Sequence, residues 1–269
     1  MKRSKVKLIL VLFCVALLWL TAFMAPYMTR WDPYEADMAQ ILLKPGSGHI
    51  LGTDELGRDV FSRILAGLKI SLLSATAVAV SAFIIGTSAG TLAGYFGGIT
   101  DKIVMWLITA FQVFPGFLLA IVVAGVLGSG IINACIALTA VYWTTLARLS
   151  RGFVISMKSK EYIQAVNALG SGHFRIIMKH MLPNMLGQLL AASTSQIGSI
   201  ILSMAGLSFL GLGAKRPTAE WGIMVSEAQA KIRTAPGLVL FISGAIVIVV
   251  LVFNLLGDVL RDYFDKKYD

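Results

Sequence analysis

Five stretches of this chain carry no Asp, Glu, Lys or Arg, and each is long enough to cross a lipid bilayer as a helix. They run from Lys7 to Arg30, Lys69 to Asp101, Lys102 to Arg148, Lys179 to Lys215 and Arg233 to Asp258. A helix rises about 1.5 Å per residue, so a hydrocarbon core of roughly 30 Å takes about 20 residues. The stretch after Lys102 holds two such helices, divided at Gly128-Ser129-Gly130. Six spans are therefore predicted, over 8–26, 71–95, 103–127, 131–147, 185–207 and 237–257. Strands of a membrane barrel would need alternating polar residues, which these runs lack. With 57% hydrophobic and 14% charged residues, the chain cannot build a largely polar shell facing water. The fold class is all-α integral membrane.

Lys and Arg set the expected orientation. With six spans and the termini inside, the inner segments take 14 of the 23 basic residues and a local balance of +8. The outer segments balance at +1, so nearly all of the net charge of +9 lies on one side. This bias accounts for the basic character without nucleic-acid binding. The apolar run from Leu8 to Ala25 exceeds the 7–15 residues of a secretory h-region and precedes no clean small-x-small site, so it reads as a retained first helix. Cys14 and Cys135 fall within spans and read as apolar packing residues.

The second span carries Gly86, Gly90 and Gly94, a tandem GxxxG that places three glycines on one face for a close helix crossing. Pro115, in Phe114-Pro115-Gly116, predicts a kink in the third. No Asp, Glu, Lys, Arg or His lies in any of the six apolar cores, which argues against a proton- or ion-coupled carrier or a charged ion pathway. The chain contains no Gly-Lys dipeptide and hence no P-loop. Nor does it offer a convergent set of His, Asp, Glu and Ser for enzymatic chemistry. A transporter built this way draws its energy from other subunits.

The inner loop 148–184 is too long for a simple turn. Tyr162, Ala165, Val166 and Leu169 recur at helical spacing before Gly170. Ser171 is placed to cap a second helix, with Phe174, Ile177, Met178 and Met181 as its apolar stripe and Pro183 as its stop. A helix–glycine–helix hairpin with a bare apolar stripe must bury it against the membrane surface or a partner.

The segment Glu161-Tyr-Ile-Gln164-Ala165-Val-Asn-Ala-Leu-Gly170, followed by Arg175, His180, Pro183 and Asn184, resembles the EAA loop of ABC importer permeases. Gln164 stands where Glu is common, and Val166 where a second Ala is common. Three further segments are similar to the dipeptide/oligopeptide/nickel branch. They are Leu51-Gly-Thr-Asp54-Glu-Leu-Gly-Arg58-Asp59-Val-Phe-Ser-Arg63, Leu207–Gly213 and Asn254–Asp262, with Lys266 replacing the usual proline after Asp265. The resemblance implies a type I importer permease fold: an N-terminal helix and outer scoop over 1–70, then a transmembrane core over 71–269. It further implies that Glu161, Gln164, Ala165, Gly170, Arg175, His180 and Pro183 couple to an ATPase. The implied partners are a second related permease, two cytoplasmic ATPases that bind ATP and Mg, and an extracytoplasmic solute-binding protein. The implied site is a bacterial inner membrane, with no cofactor held by this chain.

Among the outer residues, Asp54, Glu55, Arg58 and Asp59 read as a turn-and-cap structure, with Arg58 able to pair Asp54 at i, i+4. By resemblance, Asp54, Arg58, Asp59, Glu220 and Trp221 lie on the binding-protein side. Pro217-Thr-Ala-Glu220-Trp221-Gly222 is similar to the form found in nickel-type members, which favours nickel or a metal–chelator complex over a dipeptide or oligopeptide. No metal site is expected in the chain itself. His173 and His180 lie about 10 Å apart along a helix, whereas one metal needs bonds near 2 Å. Gln188, Ser193, Thr194, Ser195 and Gln196 of the fifth span are the expected cavity lining.

Overall fold

The computed structural model describes residues 2–46 and 48–265; Lys266 and Lys267, counted above among the inner cations, lie outside them. Ten helices follow in order: α1 (Lys2–Met28), α2 (Val60–Phe96), α3 (Gly98–Gln112), α4 (Gly116–Leu127), α5 (Ile131–Lys158), α6 (Glu161–Ala168), α7 (His173–Arg175), α8 (Leu182–Phe209), α9 (Trp221–Gln229) and α10 (Pro236–Asp265). A π-helical segment, Ile176–Met181, joins α7 to α8. Among the described residues the only β pairing is one isolated bridge, Thr53 with Asp59. Among the described residues five helices are long and apolar enough to span a membrane, and α3 with α4 meet the same measure only as a pair, bent by 91° at the break between them.

The bundle is organised by the seam between α2 and α5, which run parallel. Gly86 lies against Trp143 and Leu146, Gly90 against Ala147, and Gly94 against Arg151 and Val154. A Cβ on Gly90 would sit 2.8 Å from the Ala147 carbonyl carbon, a distance no side chain tolerates. Apolar side chains gain nothing by leaving lipid tails, so such helices associate through close van der Waals contact and interhelical hydrogen bonds. The seam has both. The Thr91 and Ser150 hydroxyls lie 2.9 Å apart, and Ser150 also donates to the Thr87 carbonyl. Antiparallel α8 and α10 use the same device, with Gly187 under Phe264, Gly198 against Asn254 and Gly257 against Ser195.

The helices overrun the expected spans at several ends, most plainly in the second and fourth. The second span starts at Val60, not 71: α2 runs through Lys69, half-buried with its ammonium over the Phe23 ring, and through Arg63, which is neutralised inside the protein. The fourth extends past 147 to Lys158, well beyond the apolar core. Between α3 and α4 the expected kink is nearly a right angle. Pro115 has no N–H to continue α3 and serves instead as the N-cap of α4. Cys14 and Cys135 are free thiols, half-buried in α1 and α5.

Gly90→Val should drive α2 and α5 apart at a cost of about 1–3 kcal/mol, lowering the thermal midpoint in detergent. Gly125→Val, at a position with open space around it, should leave the midpoint unchanged.

Candidate functional site

Opposite the glycine seam, α5 presents an open groove. One recess of about 490 Å³ is walled by the α3–α4 bend (Phe111, Gln112, Phe117) and by Tyr142, Thr145 and Ser203. The next, of about 520 Å³, shares Gln112 and Thr145 and adds Arg148, Gly152 and Phe153. A third, of about 500 Å³, shares Phe153 and runs past Ser156 and Lys160 to Tyr162, Asn184 and Gln188. Shared walls make the three one continuous groove that ends at the hairpin. Positions 145, 148, 152 and 156 fall on one helical face, turned away from 143, 147, 150 and 154 in the seam. Tyr142 and Ser203, with hydroxyls 3.0 Å apart, hold the α5 and α8 walls together.

The expected lining residues of α8 are mostly placed elsewhere. Gln188 lines the groove. Ser193 is buried, and Thr194 and Ser195 donate to the carbonyls of Leu190 and Ala191. Ser195 faces Gly257 of α10, and the Gln196 side-chain amide oxygen is buried with no hydrogen-bond partner among the described residues. The lining comes chiefly from α5, where Thr145, Arg148, Gly152 and Ser156 recur at three- and four-residue spacing. That recurrence was legible in the sequence.

The hairpin has two apolar faces. Ile163, Ile176 and Met181 are buried with Val154, Met157, Met185 and Leu189 of the bundle. On the other side Tyr162, Leu169, Phe174 and Met178 are bare, with Leu169 85% and Phe174 76% exposed. Glu161, Gln164, Ala165, Gly170 and Arg175 share this exposed surface, and His180 is half-buried. Gly170 sits at φ +76°, the left-handed turn between the two arms. Two expectations are corrected here. Ser171 does not cap the second arm; Gly172 holds that position with no side-chain bond. Pro183 does not stop the helix but lies in the first turn of α8, directly after a π-helical turn in which the backbone is widened. Just ahead of it Leu182 N–H reaches back to the Ile177 carbonyl, and the chain stays helical from His173 to Phe209.

At the far end of the bundle the Gly52–Arg63 motif folds into a knot of ion pairs. Asp54 accepts from the backbone of Leu56 and Arg58 and from Arg58 Nε at 2.7 Å. Gly57, at φ +74°, turns the chain where a Cβ would strike the Asp37 backbone. Asp59 caps α2 through the Ser62 N–H and lies 2.8 Å from His49 Nδ1. Arg58 and Arg63, both almost wholly buried, meet at Glu227 of α9, at 3.0 and 3.4 Å. Arg216 closes the cluster on the other Glu227 oxygen. Glu227 had no motif to flag it in the sequence.

Glu220 and Trp221, expected on the binding-protein side, are interior. Trp221 is 1% exposed, donates to the Ile64 carbonyl and fills the space left by Gly67. Glu220 accepts from the Gly222 and Ile223 N–H groups and so caps α9. Burial pushes its carboxyl above the ordinary range, and those bonds only partly offset it. Among the described residues no group of three or more His, Cys, Asp and Glu could hold a metal.

A bundle with a broken third span, a groove along one face and a bare helical hairpin at one end is the membrane-embedded subunit of a transporter. Residues 86–269 match the family described as binding-protein-dependent transport system inner membrane component, and the chain belongs to that family. It is 40% identical over 262 residues to the nickel transport system permease protein NikC of Escherichia coli, covering 95% of this chain and 92% of that one. It is 41% identical to the glutathione transport system permease protein GsiD of Pectobacterium atrosepticum, over 94% and 84% of the two chains. To the dipeptide transport system permease protein DppC of Alkalihalophilus pseudofirmus it is 38% identical, over 99% and 88%. Its fold matches the MetNI methionine ABC transporter in inward-facing conformations, with a TM-score of 0.59 over 75% of this chain and 95% of that one, at 18% identity. The chain is thus a multi-pass inner-membrane permease component of an ABC importer of the peptide/nickel family.

Removing Glu227 would leave the buried Arg58 and Arg63 to share Asp54 as their one remaining carboxylate among the described residues. Glu227→Ala should cost about 3–5 kcal/mol, read as a lowered thermal midpoint in detergent. The raised Glu220 carboxyl binds its proton more tightly in the folded state, so stability falls as pH rises above the ordinary glutamate range until that carboxyl ionises. Melting curves of Glu220→Gln across that window should lose this fall.

Proposed function

We propose that the chain is one half of the membrane channel of an ATP-driven importer that takes up nickel or a metal–chelator complex. It pairs with a second, related permease. Two cytoplasmic ATPases bind ATP and Mg and supply the energy, and an extracytoplasmic solute-binding protein delivers the cargo. The termini and the hairpin lie on the cytoplasmic side, the ion-pair knot outside. The chain itself performs no chemistry.

The bare apex of the hairpin carries this reading. Leu169 and Phe174 project from a helical arm already packed on the bundle through Ile163 and Ile176, so their exposure has no use within this chain. A groove on an ATPase would bury them, and closure of the ATPase pair would then move α8 directly. Likeness to NikC over nearly the whole chain supports nickel. Likeness to DppC and GsiD at similar identity supports a dipeptide or another peptide as the alternative cargo.

Gly170→Leu should strain the turn without a steric clash, because nothing lies within 4 Å of the added Cβ. The complex should still assemble in membranes, while ATP-driven uptake in proteoliposomes is abolished; full uptake would contradict the coupling role. Titration of the cognate binding protein with free nickel, nickel chelates and short peptides should show tight binding of a nickel species. Tight peptide binding without metal would transfer the assignment to the peptide class.

A further inference from the structure

Among the residues lining the groove, two are cationic, Arg148 and Lys160, and none is acidic. Arg148 is the distinctive one. The buried arginines elsewhere are paired, Arg58 and Arg63 with Asp54 and Glu227, and the neighbouring Arg151 with Asp101. Arg148 is exposed to the groove and makes no hydrogen bond or ion pair with any described residue. It lies ten positions before the end of α5, about 15 Å along the axis, well inside the groove and away from the hairpin rim. Its neighbours in the wall are the apolar Leu149 and Phe153 and, three positions back on the same face of α5, Thr145, with Gln112 at the end of α3.

A guanidinium exposed along the wall of a groove sets the sign of the local potential. It repels a passing cation and raises the local concentration of anions, and its planar fork of N–H donors matches a carboxylate in two-point contact. A naked nickel dication would meet repulsion midway along a wall that offers it no carboxylate and no imidazole.

We propose that Arg148 selects for charge in the groove: solutes cross carrying a carboxylate that this guanidinium engages, and a bare divalent metal is refused. A metal chelated by carboxylate ligands and a peptide with its free C-terminus share that chemistry. The proposal rests on the importer reading for the direction of transport, but the sign of the groove's charge preference does not depend on it.

Two measurements on the assembled complex separate these. In the first, Thr145→Cys is introduced beside Cys14→Ala and Cys135→Ala, and labelled with anionic and cationic thiol reagents of equal size. The anionic reagent should react about tenfold faster, with the preference lost in Arg148→Gln and kept in Arg148→Lys. Equal rates with Arg148 in place would overturn the proposal.

In the second, proteoliposomes take up nickel chloride, a nickel–carboxylate chelate, a nickel–polyamine complex, a dipeptide and that dipeptide's C-terminal amide. Binding of each to the binding protein is measured alongside, and uptake is compared only among solutes it holds. The carboxylate-bearing forms should be preferred, whether chelate or peptide, with uptake reduced about tenfold by Arg148→Gln and restored by Arg148→Lys. Transport of nickel chloride at the rate of the chelate, or equal losses for acid and amide in Arg148→Gln, would sink the idea. Anionic labelling preference with no uptake of any solute would overturn the importer reading and leave the charge preference standing.

Discussion

The contact on which the rest of the molecule depends is the backbone-to-backbone approach of α2 and α5. In lipid the hydrophobic effect gives two apolar helices no reason to associate, so their attraction must come from atoms in close contact. Glycines at 86, 90 and 94 supply that along one stripe, and the Thr91–Ser150–Thr87 hydrogen bonds fix its register. Fixing one face of α5 fixes the other. A rotation by a single residue, about 100°, would carry Arg148 out of the groove and break the polar row from Thr145 to Ser156. The groove is a consequence of the seam.

The two ends of the bundle treat charge in opposite ways. At the far end Asp54, Arg58, Arg63 and Glu227 are sequestered together, with opposite charges in contact and the backbone of Pro33 accepting a further guanidinium bond. Such a cluster is costly to desolvate and adds little net stability, but losing any one member is expensive, so it holds the outer segment, α2 and α9 in one arrangement. In the groove the guanidinium of Arg148 is left open. An exposed guanidinium stays hydrated and costs the fold little, so Arg148 sets the electrostatic character of the groove and takes no part in holding the bundle together.

Much of this was legible in the sequence, because bilayer thickness is an external ruler against which charge-free runs can be measured. The number of spans, the glycine stripe and the i, i+4 pairing of Asp54 with Arg58 all follow from local spacing. What was not legible depends on partners distant in sequence. A charge-based boundary at Lys69 fails because α2 runs through that residue, whose ammonium lies over the Phe23 ring, and through Arg63, neutralised by Glu227, 164 positions away. Trp221 and Glu220 look like exposed loop residues until Gly67 opens a slot and α9 needs a cap. The cavity was sought on α8, whose polar residues are conspicuous. Yet hydroxyls such as Thr194 and Ser195 can spend their hydrogen bonds on their own helix, and then they reveal nothing about a lumen.

The hairpin's two attachments determine what a force at its apex can do. To α5 it is joined through a short break at Ser159 and Lys160; to α8 it is joined by unbroken helix through the π segment. Because Pro183 lies in the first turn of α8 and Leu182 closes on Ile177, the second arm and α8 move as one rod. Displacing Leu169 and Phe174 therefore shifts α8 against α5, which the glycine seam holds to α2. The groove's two walls are those helices, bridged by the Tyr142–Ser203 contact. A push at the hairpin thus arrives where the groove must widen or narrow, with no separate transmission path needed.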